Sequence, residues 1–465
     1  MMKFLGNNKL LVLFFAMALA HGFLWLDFSA PVILEQGSFD ITALEILKGA
    51  GFNYETGYNA LTREPGFPIF IAGVYSIFGY LSGMVRVIQI FLFAGLGVLA
   101  YALLKKLFSK PAALISSFFL SLCVPVAAYS NEFNREFFMT FMVFLVVYCL
   151  YQIRISEEKM RWFVISGLAL SFLVMIKIVF SAFVFLVLIN FLGEYRKRIF
   201  TKRVGLGILL FCLIIGSTYF LYFTRNASFW DRERPIKDFE PEYQVDHSVH
   251  YKATFARVLW ENKLGNLAGN LLGFYFVPEL VKDGQYPDEV AKYDQADYIT
   301  MFEEQGLGFR EIGKILEVES REYIKENPEK YAFACVISFL RLNNPAILGS
   351  RLYQLFAGDN QELSKSAIIL GFRLIWFVFW GFMIYGVVKN RRNLRKLDWI
   401  LLMIIYINAI YTLVHTNPRH GTPLYPLYFV LFSLGVYMFL KKKNFLRHSF
   451  FRCDSRSSTG QVIKD

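Results

Sequence analysis

The chain reads as an all-α polytopic membrane protein with roughly ten transmembrane helices, juxtamembrane helices in a first outer loop and a large second outer loop. Three observations predict this. Of the 465 residues, 55% are hydrophobic and only 18% charged, whereas a soluble domain carries about a quarter charged residues. Phenylalanine alone supplies 50 residues, more apolar surface than one aqueous core can hide. The basic residues gather in short clusters beside long apolar runs, which is how a cytoplasmic membrane face is marked.

The apolar runs fall at residues 10–26, 65–80, 84–104, 112–129, 137–153, 162–176, 178–192, 204–223, 367–388, 399–414 and 423–440. If every run crossed, Lys105, Lys106 and Lys110 would lie outside, and each later basic loop would follow them. The 65–80 run is short and carries Pro65, Gly66, Pro68, Gly73 and Gly79, so it is assigned to a juxtamembrane or re-entrant element. With that run demoted, Lys105-Lys106, residues 154–161, Arg196-Lys197-Arg198 with Lys202-Arg203, residues 389–396 and Lys441-Lys442-Lys443 all fall on the cytoplasmic side.

At the start of the chain, Lys3 and Lys9 precede an apolar stretch, and Ala18-Leu19-Ala20 resembles a cleavage site. Apolar character continues through Leu26, and the topology needs an anchored cytoplasmic start, so a retained first helix is expected. The organisation expected is an N-terminal transmembrane catalytic module at 1–223 with outer loop 27–83, and an extracytoplasmic region at 224–366. C-terminal helices at 367–440 and a cytoplasmic tail at 441–465 complete it. Within the second loop a polar helical pattern spans 309–340 with Pro328 near its middle. The 264–280 and 332–340 stretches are too short to span and are expected on the bilayer surface.

The net charge of +12 is accounted for by this membrane pattern. No basic, aromatic-interleaved soluble domain is present, which argues against nucleic acid as a partner. Cys123, Cys149, Cys212, Cys335 and Cys453 show no metal or disulfide spacing. No internal repeat, P-loop or dinucleotide fingerprint occurs.

The residues with chemical potential lie on the outer side. Asp40 follows the first span; alone it is a carboxylate near a helix end. Arg63-Glu64-Pro65-Gly66-Phe67-Pro68 heads the demoted run, as an interfacial turn with a snorkelling arginine or as part of a site. Glu132, Arg135 and Glu136 lie in the next outer turn, where a solvated turn with Arg135 neutralising one acid is the plain alternative. Lys177 separates two apolar runs with almost no polar loop between them. An ammonium there costs about 2.5–3.5 kcal/mol at full membrane depth and less at the interface, so it either caps a tight outer turn or meets an anion. Arg419 and His420 occupy the last outer turn, against the charge rule, as interfacial residues or with a specific partner. His247 and His250 have metal-ligand spacing, although a solvated pair is the simpler reading.

Together, Asp40, Glu132 and Glu136 offer carboxylates on one face, and Arg63, Lys177 and Arg419 offer cations. Transfer from a phosphate-activated lipid needs this pairing: a base for the incoming nucleophile and fixed cations for the departing phosphate.

At these residues the sequence resembles the GT-C class of membrane glycosyltransferases, nearest the protein mannosyltransferase and lipid A aminoarabinose transferase superfamily. The resemblance rests on several segments in order: Asp40; Arg-Glu-Pro-Gly-Phe-Pro-Ile-Phe-Ile-Ala-Gly from Arg63, closed by Phe78-Gly79; Glu136; Gly167 to Lys177; Arg321 to Tyr331; and Pro-Arg-His-Gly-Thr-Pro-Leu-Tyr-Pro from Pro418. It implies an inverting transferase that moves a sugar from a polyprenyl-phosphate donor, at the extracytoplasmic face of the plasma (inner) membrane, to a glycan, lipid or protein acceptor. Asp40 would match the catalytic base and Glu136 the second acid, near a metal or the acceptor. Arg63 and Lys177, with Arg419 beside them, would bind the donor phosphate; Glu64, Glu132, Arg135 and His420 would serve the acceptor or support the site. A cofactor is left unassigned, a divalent metal being the option. The first-loop acid lacks the Asp-Glu pair of many relatives, and Lys177 stands in Ile-Lys-Ile.

Two other readings compete. A polysaccharide polymerase or ligase would use a lipid pyrophosphate-linked glycan. A secondary transporter would show paired inverted repeats with broken helices in both halves; one break is present, and no second half resembles the first.

Overall fold

A computed structural model describes residues 9–26, 34–49, 64–196, 201–230, 249–250, 252–253, 255–257, 259–272, 309–344, 362–414 and 418–442. Among them the chain is helical and has no strand. The first half comprises α1 (Lys9–Leu24), α2 (Leu34–Leu47), α3 (Gly66–Phe78), α4 (Ser82–Leu107), α5 (Lys110–Ser121), α6 (Val124–Tyr129), α7 (Arg135–Ile155), α8 (Lys159–Ile176), α9 (Ser181–Tyr195) and α10 (Lys202–Trp230). The second half comprises α11 (Lys263–Leu272), α12 (Phe309–Glu326), α13 (Pro328–Leu342), α14 (Glu362–Lys389), α15 (Asp398–Leu413) and α16 (Leu424–Lys442).

Among the described residues, seven segments are long and apolar enough to cross a membrane: α4, α7, α8, residues 178–195 including α9, the apolar parts of α10 and α14, and α16. Leu209, Leu213, Phe220 and Leu221 on α10, and Leu374, Ile375 and Val378 on α14, stay exposed. Apolar surface of that extent suits hydrocarbon rather than water. Ten crossings would require α1 and α15, of 16 residues each, and the 112–129 run. That run is two short helices: α5 ends at Ser121, and after Leu122 and Cys123 α6 starts with Pro125 in its first turn, a position where proline's missing N–H is harmless. The demoted run forms α3, whose 13 residues extend about 20 Å against a hydrocarbon core of about 30 Å.

The bundle has two chemically distinct ends. At one, Arg154 at the close of α7 donates to both oxygens of Asp398 at 2.7 and 2.6 Å and to Glu194 at 2.6 Å, and lies 5.1 Å from the Trp399 ring centre. This hub ties the ends of α7 and α9 to the start of α15. Lys106, in the last turn of α4, donates to Gln152 at the same end. Helices α14 and α16 run parallel, Trp376 meeting Tyr425 and Phe382 meeting Phe432, so Lys389 and Lys441 close together too. They cross where Gly386 and Gly435 leave no room for a Cβ; one added to Gly386 would lie 2.6 Å from the Leu431 carbonyl oxygen. The basic clusters therefore gather at one end, which matches the charge pattern of the sequence.

The 332–340 stretch is part of α13, which docks on the bundle. Tyr331 donates to the Leu413 carbonyl. Asn343, just past α13, donates to Asn408 at 2.7 Å and accepts from Tyr428 at 2.5 Å, while Trp376 donates to its carbonyl at 2.9 Å. These side chains satisfy polar groups that lipid could not. The polar pattern at 309–340 breaks at Asn327, where Pro328 opens a new helix.

Candidate active site

The end opposite the Arg154 hub holds the candidate residues. Asp40 is on α2 rather than in a loop. Phe39 and Ala43, four positions apart, are buried with Phe67 of α3 beneath them, and this i, i+4 stripe sets the face of the helix. Asp40 is itself buried and accepts two hydrogen bonds, one per oxygen. The Tyr75 hydroxyl donates to Oδ1 at 2.5 Å and the Tyr80 hydroxyl to Oδ2 at 2.7 Å. Tyr75 comes from α3, and Tyr80 from the turn after it. Burial and the bond to Asp40 push the Tyr75 hydroxyl well above its ordinary range. The bond to Asp40 raises Tyr80 as well, so both remain donors.

Glu64, at the entry to α3, pairs with Arg135 at the start of α7. Its other oxygen accepts from the Ile178 backbone N–H at 3.4 Å. Burial opposes the charge on Glu64, yet Arg135 and, more weakly, Lys177 hold its carboxyl below the usual range. Gly66 places this segment directly on the end of α8: a Cβ there would stand 2.6 Å from Ile176 N and 2.7 Å from the Met175 carbonyl carbon. Arg135 also lies 5.8 Å from the Phe39 ring centre, beside Asp40.

Lys177 takes an extended backbone between α8 and a short 3-10 turn at Ile178–Phe180. Its ammonium sits 5.0 Å from the centre of the Tyr411 ring, and His420 stacks on that ring at 4.6 Å. Burial, then the neighbouring Arg135, push the Lys177 amine down to about 7, with Glu136 and Glu64 pulling the other way. Glu136 is buried in the first turn of α7, behind the Asn134 cap, and pairs with Arg419 at 3.5 Å. Glu132 accepts from Asn134 at 2.6 Å, and Gln89 donates to its carbonyl at 2.9 Å.

Glu64, Arg135, Glu136, Lys177, Arg419 and His420 thus form one connected group, with Asp40 joined to it through Phe39. Arg63 lies outside the described residues, as does His247. The sequence reading missed Tyr75, Tyr80 and Tyr411, which hold Asp40 and link Lys177 to His420. It also passed over Arg86, buried in α4 near Tyr75; an arginine early in an apolar run was the available signal. Among the described residues no three His, Cys, Asp or Glu side chains converge as metal ligands. The two acids nearest the cations are already engaged by arginines. The described residues do not form a metal cage.

The fold and site define a polytopic helical membrane protein with a buried, hydrogen-bonded carboxylate beside a cluster of paired acids and cations at one end of its bundle. Residues 62–222 match the family described as dolichyl-phosphate-mannose-protein mannosyltransferase, and this match bears out the likeness to GT-C class glycosyltransferases read from the motifs. The matched segment holds Glu64, Glu132, Arg135, Glu136 and Lys177, but neither Asp40 nor Arg419.

Among solved structures, the fold is similar to the Archaeoglobus fulgidus oligosaccharyltransferase AglB in complex with an inhibitory peptide and a dolichol-phosphate. Identity is 14%, the TM-score 0.50, and the alignment covers 96% of this chain and 51% of that one. The chain spans about half the length of AglB. Two structures of ArnT from Cupriavidus metallidurans also align. The apo form gives 16% identity, TM-score 0.39 and coverage of 92% and 77%; the form bound to undecaprenyl phosphate gives 17%, 0.38, and 92% and 78%. No curated protein sequence matches the chain.

Proposed function

We propose that the protein is an inverting glycosyltransferase that moves a sugar from a polyprenyl-phosphate donor to a glycan, lipid or protein acceptor. It would work at the extracytoplasmic face of the plasma (inner) membrane, with both termini cytoplasmic. One observation carries the reading: a buried carboxylate, Asp40, stands beside a cluster in which Lys177, Arg135 and Arg419 converge on Glu64 and Glu136 at a single end of the bundle. An anionic lipid head arriving from the bilayer meets the cations, and an acceptor arriving from water meets the acid.

In the reaction, Asp40 takes the proton of the acceptor hydroxyl as the acceptor oxygen bonds to the anomeric carbon. The bond from that carbon to the phosphate oxygen breaks, and Lys177 and Arg419 stabilise the charge on the departing polyprenyl phosphate. Glu136 holds Arg419 toward the phosphate. Arg63, next to Glu64 in sequence, would add a further cation.

The test is transfer by the full chain and by Asp40→Asn, with mass spectrometry of surface glycans in cells that contain or lack the protein. Removing the general base should lower transfer about 10²- to 10⁴-fold without loss of membrane insertion. Cells without the protein should lose a glycan decoration and accumulate the lipid-linked sugar. Unchanged glycans and an unchanged donor pool would refute the reading.

A further inference from the structure

We infer that the Tyr80 hydroxyl is a displaceable stand-in for the acceptor at Asp40: the acceptor hydroxyl takes the place of Tyr80 on Oδ2, while Tyr75 keeps Oδ1 fixed. The inference rests on Asp40 being the base of the proposed transfer.

The two tyrosines make similar bonds to the same carboxylate but stand in different surroundings. Tyr75 is buried, only 3% exposed, at the C-terminal end of α3's packed face. Tyr80 is 61% exposed. Nothing about Tyr75 lets it leave, whereas Tyr80 stands at the mouth of the site with most of its surface free. An ionised carboxylate has only acceptor capacity, about two lone-pair directions on each oxygen. A group that is to surrender a proton to Asp40 must reach an oxygen from the open side, where the Tyr80 hydroxyl stands at 2.7 Å.

The backbone is built for such movement. Tyr80 is carried on a turn rather than a helix. Gly79 adopts φ +75°, a conformation that side chains disfavour, and closes α3 by donating to the Tyr75 carbonyl at 2.9 Å. Its own carbonyl accepts from Leu81 at 2.8 Å, folding the chain back so that the Tyr80 ring meets the edge of Tyr75 at 5.2 Å. Rotation about the Tyr80 side chain releases Oδ2 without disturbing α3 or α4. The hydrogen bond lost is replaced in kind, one O–H donor for another, so Asp40 is never left without a partner on that oxygen. The same exchange keeps the carboxylate occupied between turnovers.

Infrared difference spectroscopy tests this without knowledge of the natural acceptor. The Asp40 carboxylate band is isolated as the full chain minus its Asp40→Asn variant, and glycerol serves as the probe hydroxyl. Tyr80→Phe keeps the ring and its contact with Tyr75, so folding is preserved. The Asp40 band should shift in Tyr80→Phe. Glycerol should then return it toward its original position, at about tenfold lower concentration than perturbs the unaltered chain, the ratio expected when a competing hydrogen bond of ordinary strength is removed. In Tyr75→Phe the band should shift and glycerol should not restore it, because the vacated position is sealed. Equal rescue in both variants, rescue in neither, or an unshifted band in Tyr80→Phe would overturn the inference. If Asp40→Asn transfers sugar at full rate, the base assignment fails instead, and that result is distinct from any of these spectra.

Discussion

Lys177 offers the sharpest test of how this site handles an anion. Its amine is held down at about 7 by burial and by Arg135, in partial balance with Glu136 and Glu64. A sugar-bearing polyprenyl phosphate is a phosphodiester with one negative charge throughout the neutral range, so a pH effect on its binding reports the protein. An amine titrating near 7 falls from about nine-tenths charged at pH 6 to about one-tenth at pH 8, and a site that binds only when charged loses about tenfold in apparent affinity. The sign is fixed: binding weakens as pH rises. Lys177→Arg keeps its charge over this range and should bind independently of pH. Lys177→Ala loses a charge-assisted bond of about 1.5–3 kcal/mol, or roughly ten- to 150-fold in affinity. Equilibrium binding of a radiolabelled polyprenyl-phosphate sugar to the purified chain in nanodiscs reads all three. A flat pH profile for the unaltered chain, or an Ala variant of full affinity, would refute a phosphate contact at Lys177.

Two further outcomes follow from the packing around it. Arg135→Met leaves Glu64 charged and part-buried without its guanidinium, which should destabilise the chain by about 3 kcal/mol; a thermal-unfolding midpoint equal to that of the unaltered chain would show that the pair contributes little. Gly66→Ala places a methyl against the Ile176 backbone, pushing α3 away from the end of α8 and costing about 1–3 kcal/mol. Donor affinity should fall with stability in that variant, and an unchanged value for both would show that the Gly66 contact does not set the position of Lys177.

The features legible in the sequence were those written in charge and hydropathy. Demoting the 65–80 run placed Asp40, Glu136, Lys177 and Arg419 on one side, and in the structure they lie at one end of the bundle, away from Arg154 and Lys106. Lys177 stood out because an isolated cation between apolar runs is expensive. The tyrosines did not. Tyr75 and Tyr80 lie among other aromatics in a chain with 26 tyrosines, and their approach to Asp40 spans 35 and 40 residues, set by how α2 lies on α3. The docking of α13 was hidden likewise, since Asn343 meets Asn408 and Tyr428 only through tertiary packing. The break inside 112–129 was marked by Pro125, but an unbroken apolar composition masked it.

The proposed reaction requires a lipid phosphate to bind at the end of the bundle where Asp40 and Lys177 lie. Electron cryo-microscopy of the chain in nanodiscs with bound polyprenyl phosphate tests it in one measurement. Phosphate density is expected against the Lys177 ammonium and the Arg419 guanidinium, on the same end of the bundle as Asp40. Density at the opposite end, among Lys106, Arg154 and Lys389, would contradict it.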